Sequence, residues 1–216
     1  MTLRSKKIFD EAFRYCFLQP CPVNRLPEKL QVSGERPVLH LIRRDLQQLY
    51  SNETENPPQE DKYRAPFLAC IGIMSGIDLL SKFYDHRKST GNRERFCNFL
   101  KQMGMLSEHD ASLMWALRNA LTHSYSLALE GPFTSTSVTL TTGPCPERFF
   151  IRETVGERHR YIIYFSGLRS LFLLLIDSYK ACLSNPNNEQ LRSRFLKRYN
   201  SHGYIVVDGS KKLPIS

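Results

Sequence analysis

A chain of 216 residues, 41% hydrophobic and 24% charged, is long enough to bury the core of one domain and too apolar to be disordered throughout. The formal net charge of +9 suits a polyanionic partner such as RNA or DNA. Six cysteines without a CxxC pair, behind an opening MTLRSKKIFDEAF that turns polar at once, predict a reducing, cytoplasmic setting and no signal peptide.

In chain order, the first predicted helix is 6–17, with Ile8, Ala12, Phe13 and Cys16 on one stripe. A connector punctuated by Pro20, Pro22 and Pro27 leads to a second helix from about Pro37 to Tyr50, with proline at its first position. The acidic, proline-bearing stretch SNETENPPQED reads as a loop. It divides an N-terminal helical accessory segment, 1–60, from the main bundle, 61–216.

The bundle opens with a helix from Arg64 to about His86 that is apolar on most sides and therefore central. Two stretches, FLACIGIMSGIDLL and YFSGLRSLFLLLIDSY, carry Asp78, Arg169 and Asp177, and neither supplies the roughly 20 apolar residues of a membrane span. Phe96, Phe99, Leu100 and Met103 mark the next helix, with Gly104 as its expected cap. SEHD predicts an N-cap at Ser107 with acidic groups in the first turn. Leu113, Ala116, Leu117, Ala120 and Leu121 supply that helix's core stripe, and it ends at about 123–125.

Beyond it the period changes. SVTLTTG, RFFIRET and RHRYIIYF are rich in β-branched and aromatic residues and predict two or three short antiparallel strands. The fold class is thus mainly α: an antiparallel helical bundle with a small antiparallel β excursion at about 133–165. A helix from Ser166 to about Leu183 and a basic helix beginning at SNPNNEQ follow, and GYIVV reads as a short strand.

The chemistry concentrates in ALRNALTHSY. Arg118, Asn119 and His123 interrupt an otherwise apolar helix. Burying such groups costs free energy unless they find partners, such as Asp78 or Asp177, or line a polar cleft. On an ideal helix Arg118 and His123, five residues apart, lie about 140° apart round the axis. Asn119 and His123, four apart, share a face, so Asn119 is expected to orient the imidazole. Arg118 and Tyr125, seven apart, nearly eclipse.

Arg118-Asn119 followed by His123, at the end of an apolar helix in a helical bundle, resembles the Arg-x4-His signature of the HEPN superfamily. Tyr125 extends it to the Arg-x4-His-x-Tyr form of HEPN toxins paired with a minimal nucleotidyltransferase antitoxin. The resemblance covers roughly 62–185, with the β excursion as a departure. It implies a metal-independent endoribonuclease without a cofactor, in which Arg118, Asn119 and His123 are catalytic. It implies a homodimer in which two motif helices form one cleft, and an antitoxin or nucleotidyltransferase as a possible partner of Tyr125.

The residues suit that chemistry. Imidazole exchanges protons near neutral pH, and a helix C-terminus favours its charged form. Guanidinium holds phosphate oxygens. Arg93 and Arg95, with Arg87 and Lys88 in the same basic loop, are candidates to guide RNA backbone. Arg192, Arg194, Lys197 and Arg198 on the last helix are others, although such residues more often form a solvated helix face. Zinc ligand spacing, a GxGxxG or Walker loop and a GxSxG elbow are all missing. The alternative is a non-catalytic module of the same shape that binds RNA, nucleotide or protein, or a plain helical scaffold.

Overall fold

A computed structural model describes residues 3–17, 35–37, 66–85, 90–124, 127–129, 131–133, 136–142, 145, 149–155, 158–202 and 204–206. Among them are six α-helices: α1 (Leu3–Phe17), α2 (Pro66–Tyr84), α3 (Asn92–Gly104), α4 (Glu108–Asn119), α5 (Phe165–Ser184) and α6 (Glu189–His202). The strands are β1 (Glu35–Pro37), β2 (Thr136–Thr141), β3 (Phe150–Val155), β4 (Arg158–Tyr164) and β5 (Tyr204–Val206). A π-helical turn, Ala120–Ser124, continues α4, and a 3-10 turn, Gly131–Phe133, precedes β2. The architecture is mainly helical, as the 3.6-residue patterning indicates.

Helix α2 is the hub. Ile73, Met74, Ile77, Leu80 and Phe83 are all fully buried, against α3, α5 and α6. By length and composition alone, Phe67–Tyr84 could cross a membrane, yet 56% of that window is buried inside the protein. Its apolar surface is spent on neighbouring helices, as in the central helix of a soluble bundle.

Helix α1 buries Phe9, Ala12, Cys16 and Phe17, spaced i, i+3, i+7 and i+8. Ile8, expected in that stripe, faces outward. Phe9 and Phe17 reach Phe195 of α6 at centroid distances of 5.8 and 5.9 Å, and Phe17 also meets the buried Tyr179 of α5. This part of the N-terminal segment therefore completes the bundle's own core. The predicted second helix falls almost wholly outside the described residues, as does the acidic loop. Pro37, expected to start that helix, instead ends β1, which pairs antiparallel with β5.

The three-stranded sheet has the order β2-β4-β3. Strands β3 and β4 form the expected antiparallel hairpin, Phe150 opposite Ile163 and Val155 opposite Arg158. Strand β2, expected to be antiparallel too, runs parallel to β4, with Thr136 opposite His159 and Thr141 opposite Tyr164. The physical reason lies in the connection. The chain leaves β2 and returns as the β3–β4 hairpin, so the second hairpin strand lies beside β2 in the same direction. The excursion is mixed rather than antiparallel.

Ser107 caps α4 as predicted, its hydroxyl accepting from the Asp110 N–H at 3.1 Å. At the end of α3 the left-handed residue is Met105, with φ 54°, not Gly104. Gly104 serves close packing instead. A Cβ there would stand 3.0 to 3.3 Å from Leu106, Leu175 and Leu171.

Candidate functional site

Helix α4 brings Leu113, Met114 and Leu117 into the core and leaves Trp115, Arg118 and Asn119 half-buried at its border. From Ala120 the helix widens. A π turn closes its hydrogen bonds from i to i+5, so residues five apart come into line. The Thr122 hydroxyl donates to the Arg118 carbonyl at 2.7 Å, one of the side-chain bonds that compete with the regular ladder.

This widening corrects the ideal-helix expectation. Arg118 and His123 do not diverge: Nη1 of Arg118 lies 3.0 Å from Nε2 of His123. The same nitrogen donates to Oδ1 of Asn119 at 3.0 Å. Asn119 thus holds the guanidinium, where a hold on the imidazole was expected. A guanidinium only donates, so a hydrogen bond at this distance uses a lone pair on Nε2. His123 is exposed at the end of the motif helix.

Two further residues complete the cluster. Nη2 of Arg118 lies 3.4 Å from Oδ2 of Asp78 on α2, and Nζ of Lys82 reaches the same oxygen at 2.6 Å. The guanidinium also sits 5.2 Å above the Trp115 ring, which packs edge-on to Phe96 of α3. Nε of Arg118 is buried with no hydrogen-bond partner among the described residues. The guanidinium is therefore oriented from one side by Asn119, Asp78 and Trp115, while its His123 side opens to solvent.

Helices α3 and α6 add charge to the same place. Arg198 of α6 lies within electrostatic reach of Arg95 of α3 and Asp78 of α2. Its pKa is held below the ordinary value, first by burial and then by the charge of Arg95, with Asp78 acting in the opposite sense. Nη2 of Arg95 donates to Asn92 at 2.6 Å. Arg93 points elsewhere: it is exposed and acts on the Cys97 thiol, which burial pushes up and Arg93 pulls down. So the two predicted RNA-guiding residues, both on α3, act on different groups: Arg93 on Cys97 and Arg95 on Arg198. Arg87, Lys88 and Tyr125 lie outside the described residues.

Asp78 was readable as a partner of Arg118; Lys82 and Trp115 were missed. Their signals were present as the i,i+4 pair Asp78–Lys82 and the i,i+3 pair Trp115–Arg118. Among the described residues no group of three or more His, Cys, Asp or Glu is placed to hold a metal ion.

A concave surface of about 350 Å³ lies along 138–142, the end of β2 and the residue after it, and is closed by Phe67, Leu127 and Phe165. Its lining is mainly apolar and includes no ionisable group. Comparisons with known proteins add no name: the chain matches no protein-family model, no curated protein and no solved structure.

Proposed function

We propose that the chain is a metal-independent endoribonuclease of the HEPN type. The reading is carried by one observation: an exposed imidazole whose Nε2 lies 3.0 Å from a guanidinium that the protein holds in place. An RNA phosphodiester that takes the Arg118 guanidinium by its non-bridging oxygens draws that group off Nε2. Nε2 then accepts the proton of the 2′-hydroxyl, whose oxygen attacks the adjacent phosphorus. The bond to the 5′-oxygen breaks, and that oxygen takes a proton from the imidazolium of a second copy. The products are a 2′,3′-cyclic phosphate and a 5′-hydroxyl. Arg118 stabilises charge on the equatorial oxygens, and Asn119 keeps it aimed. Two copies, meeting through the exposed ends of their motif helices, supply the base and the acid. As a toxin-like enzyme it calls for an antitoxin, with Tyr125 as the residue a nucleotidyltransferase would reach.

The test is cleavage of single-stranded RNA in EDTA by the wild type beside Arg118→Ala and His123→Ala. Cleavage by the wild type alone, with cyclic-phosphate ends, supports the reading. Equal cleavage by all three proteins, or intact RNA throughout, overturns it. The non-catalytic alternative draws on the Arg118–Asp78 ion pair, which keeps the guanidinium occupied when no ligand is bound. It predicts RNA binding that His123→Ala leaves unchanged, with no cleavage.

A further inference from the structure

Asp78 meets two cations through one oxygen. Nζ of Lys82, one helical turn further along α2, lies 2.6 Å from Oδ2. Nη2 of Arg118 reaches that same oxygen only at 3.4 Å. A charge-assisted N–H bond to a carboxylate is normally about 2.7 to 2.9 Å, so the lysine holds this oxygen firmly and the arginine loosely. Asp78 followed four residues later by Lys82 is the favoured order for an ion pair on a helix. Arg118 has to reach across from α4, where it also meets Asn119 and His123. The Asp78 side chain is 11% exposed, so water screens the contest for it only weakly. Two cations on one anion leave the trio with surplus positive charge. The loosely held member is the guanidinium beside the exposed imidazole.

We propose that Lys82 is a positioning residue: by occupying Asp78 it keeps that carboxylate from capturing Arg118, and so leaves the guanidinium available to a backbone phosphate. The proposal rests on the ribonuclease reading for the identity of the polyanion. Lys82 acts through Asp78 and does not touch the RNA. Without it, Asp78 faces Arg118 alone and closes the 3.4 Å contact into an ordinary ion pair. Phosphate then binds only the fraction of molecules in which that pair is open, and the apparent affinity falls by that fraction.

The experiment separates binding from turnover. A fluorescein-labelled 2′-O-methyl RNA octamer, whose blocked 2′-oxygen cannot attack, is titrated with the protein and followed by anisotropy at several salt concentrations. K82M is expected to weaken binding about five-fold, the upper end for a part-exposed ion pair. The slope of log affinity against log salt should stay as it is, because no phosphate contact is lost. K82R, which keeps a cation on Asp78, restores the affinity. D78N leaves no charge to contest: it binds no more weakly than wild type, and the D78N/K82M double variant binds like D78N. On unmodified RNA, K82M raises KM by the same factor and leaves kcat within about two-fold.

Equal affinity of folded K82M and wild type overturns the proposal, even if the wild type cleaves RNA. An equal loss from K82M with and without D78N also overturns it, as does a slope lowered by about 0.7, since either makes Lys82 a phosphate contact of its own. The expected pattern, from a wild type that leaves unmodified RNA intact, keeps the proposal and overturns the nuclease. If D78N does not fold, K82M and K82R decide. A loss at unchanged slope that arginine restores supports the proposal, and any other pair of results overturns it.

Discussion

His109 and His123 stand at opposite ends of the same helical run and are held in opposite ways. His109, in the first turn of α4, shares a 2.8 Å hydrogen bond with the hydroxyl of Tyr161, a residue almost wholly buried in β4. Its ring also lies 5.6 Å from Phe133, which meets Tyr161 edge-on. That imidazole fastens the sheet to the bundle. His123 has as its partner a charged group that also touches Asn119 and Asp78 and can turn towards a ligand. One histidine is committed to an aromatic core by a short bond; the other is left at the surface beside a guanidinium. The difference separates a fastening from the proposed reactive site more sharply than exposure does, since both rings reach solvent.

The largest expected effect breaks this comparison if it fails. His123→Ala should reduce RNA cleavage by about 10²- to 10⁴-fold, the usual share of a general acid–base group. Being a surface truncation, it should move stability by no more than about 0.5 kcal/mol. His109→Ala should leave the cleavage rate per folded molecule as it is. It strands the Tyr161 hydroxyl and should cost about 1 to 3 kcal/mol in urea unfolding. If the two variants lose activity equally, the division between the ends of the helix is wrong.

Next comes Arg118→Ala, expected to lower kcat about 10²- to 10³-fold, as loss of a preorganised donor does. Arg118→Lys should recover binding better than kcat. A lysine supplies the charge, but not the fork that meets Asn119, His123 and Asp78 together.

A smaller effect concerns the seam where sheet meets bundle. A Cβ on Gly167 would fall 2.4 Å from the Cys145 sulfur and 2.6 Å from the Phe149 Cα. Backbone cannot yield as a side chain does, so Gly167→Ala should cost about 1 to 3 kcal/mol. Nothing lies within 4 Å of a Cβ on Gly91, so Gly91→Ala should be close to neutral. Denaturant midpoints of the two variants, measured side by side, check the contrast.

The helix positions within the described residues and the Ser107 cap were legible because each depends on neighbours within one or two turns. The site's geometry was not, for an equally local reason. The positions of Arg118 and His123 were projected with one fixed rotation per residue, and that rotation changes where the Thr122 hydroxyl takes the Arg118 carbonyl and a π turn begins. The direction of β2 was out of reach because strand composition records burial and not the path of the chain between strands. Arg93 and Arg95 looked alike at two residues apart, yet a helix turns them to different sides. Only the fold brings Arg95, and not Arg93, within electrostatic reach of Arg198 on α6.

The smallest prediction sharpens the fastening end. Tyr161→Phe removes the bond to His109 and should cost about 1 kcal/mol at neutral pH, less than His109→Ala because no buried hydroxyl is left behind. Its pH dependence carries the more specific test. Burial raises the Tyr161 pKa above the ordinary phenol value, with Arg152 opposing and Asp110 adding to the shift. The folded state therefore keeps a proton that the unfolded chain releases at about pH 10. The stability this phenol contributes is fully present below pH 10 and is lost as pH rises towards the folded value. Cys70, whose thiol burial pushes up to about 12, produces a similar fall above pH 9, but it does so in both proteins and cancels in the difference. Unfolding free energies of wild type and variant should thus run parallel from pH 7 to 9 and converge above pH 10. A constant gap through pH 11 would mean that Tyr161 ionises as easily folded as unfolded, and that the seam around His109 is wetter than its aromatic packing implies.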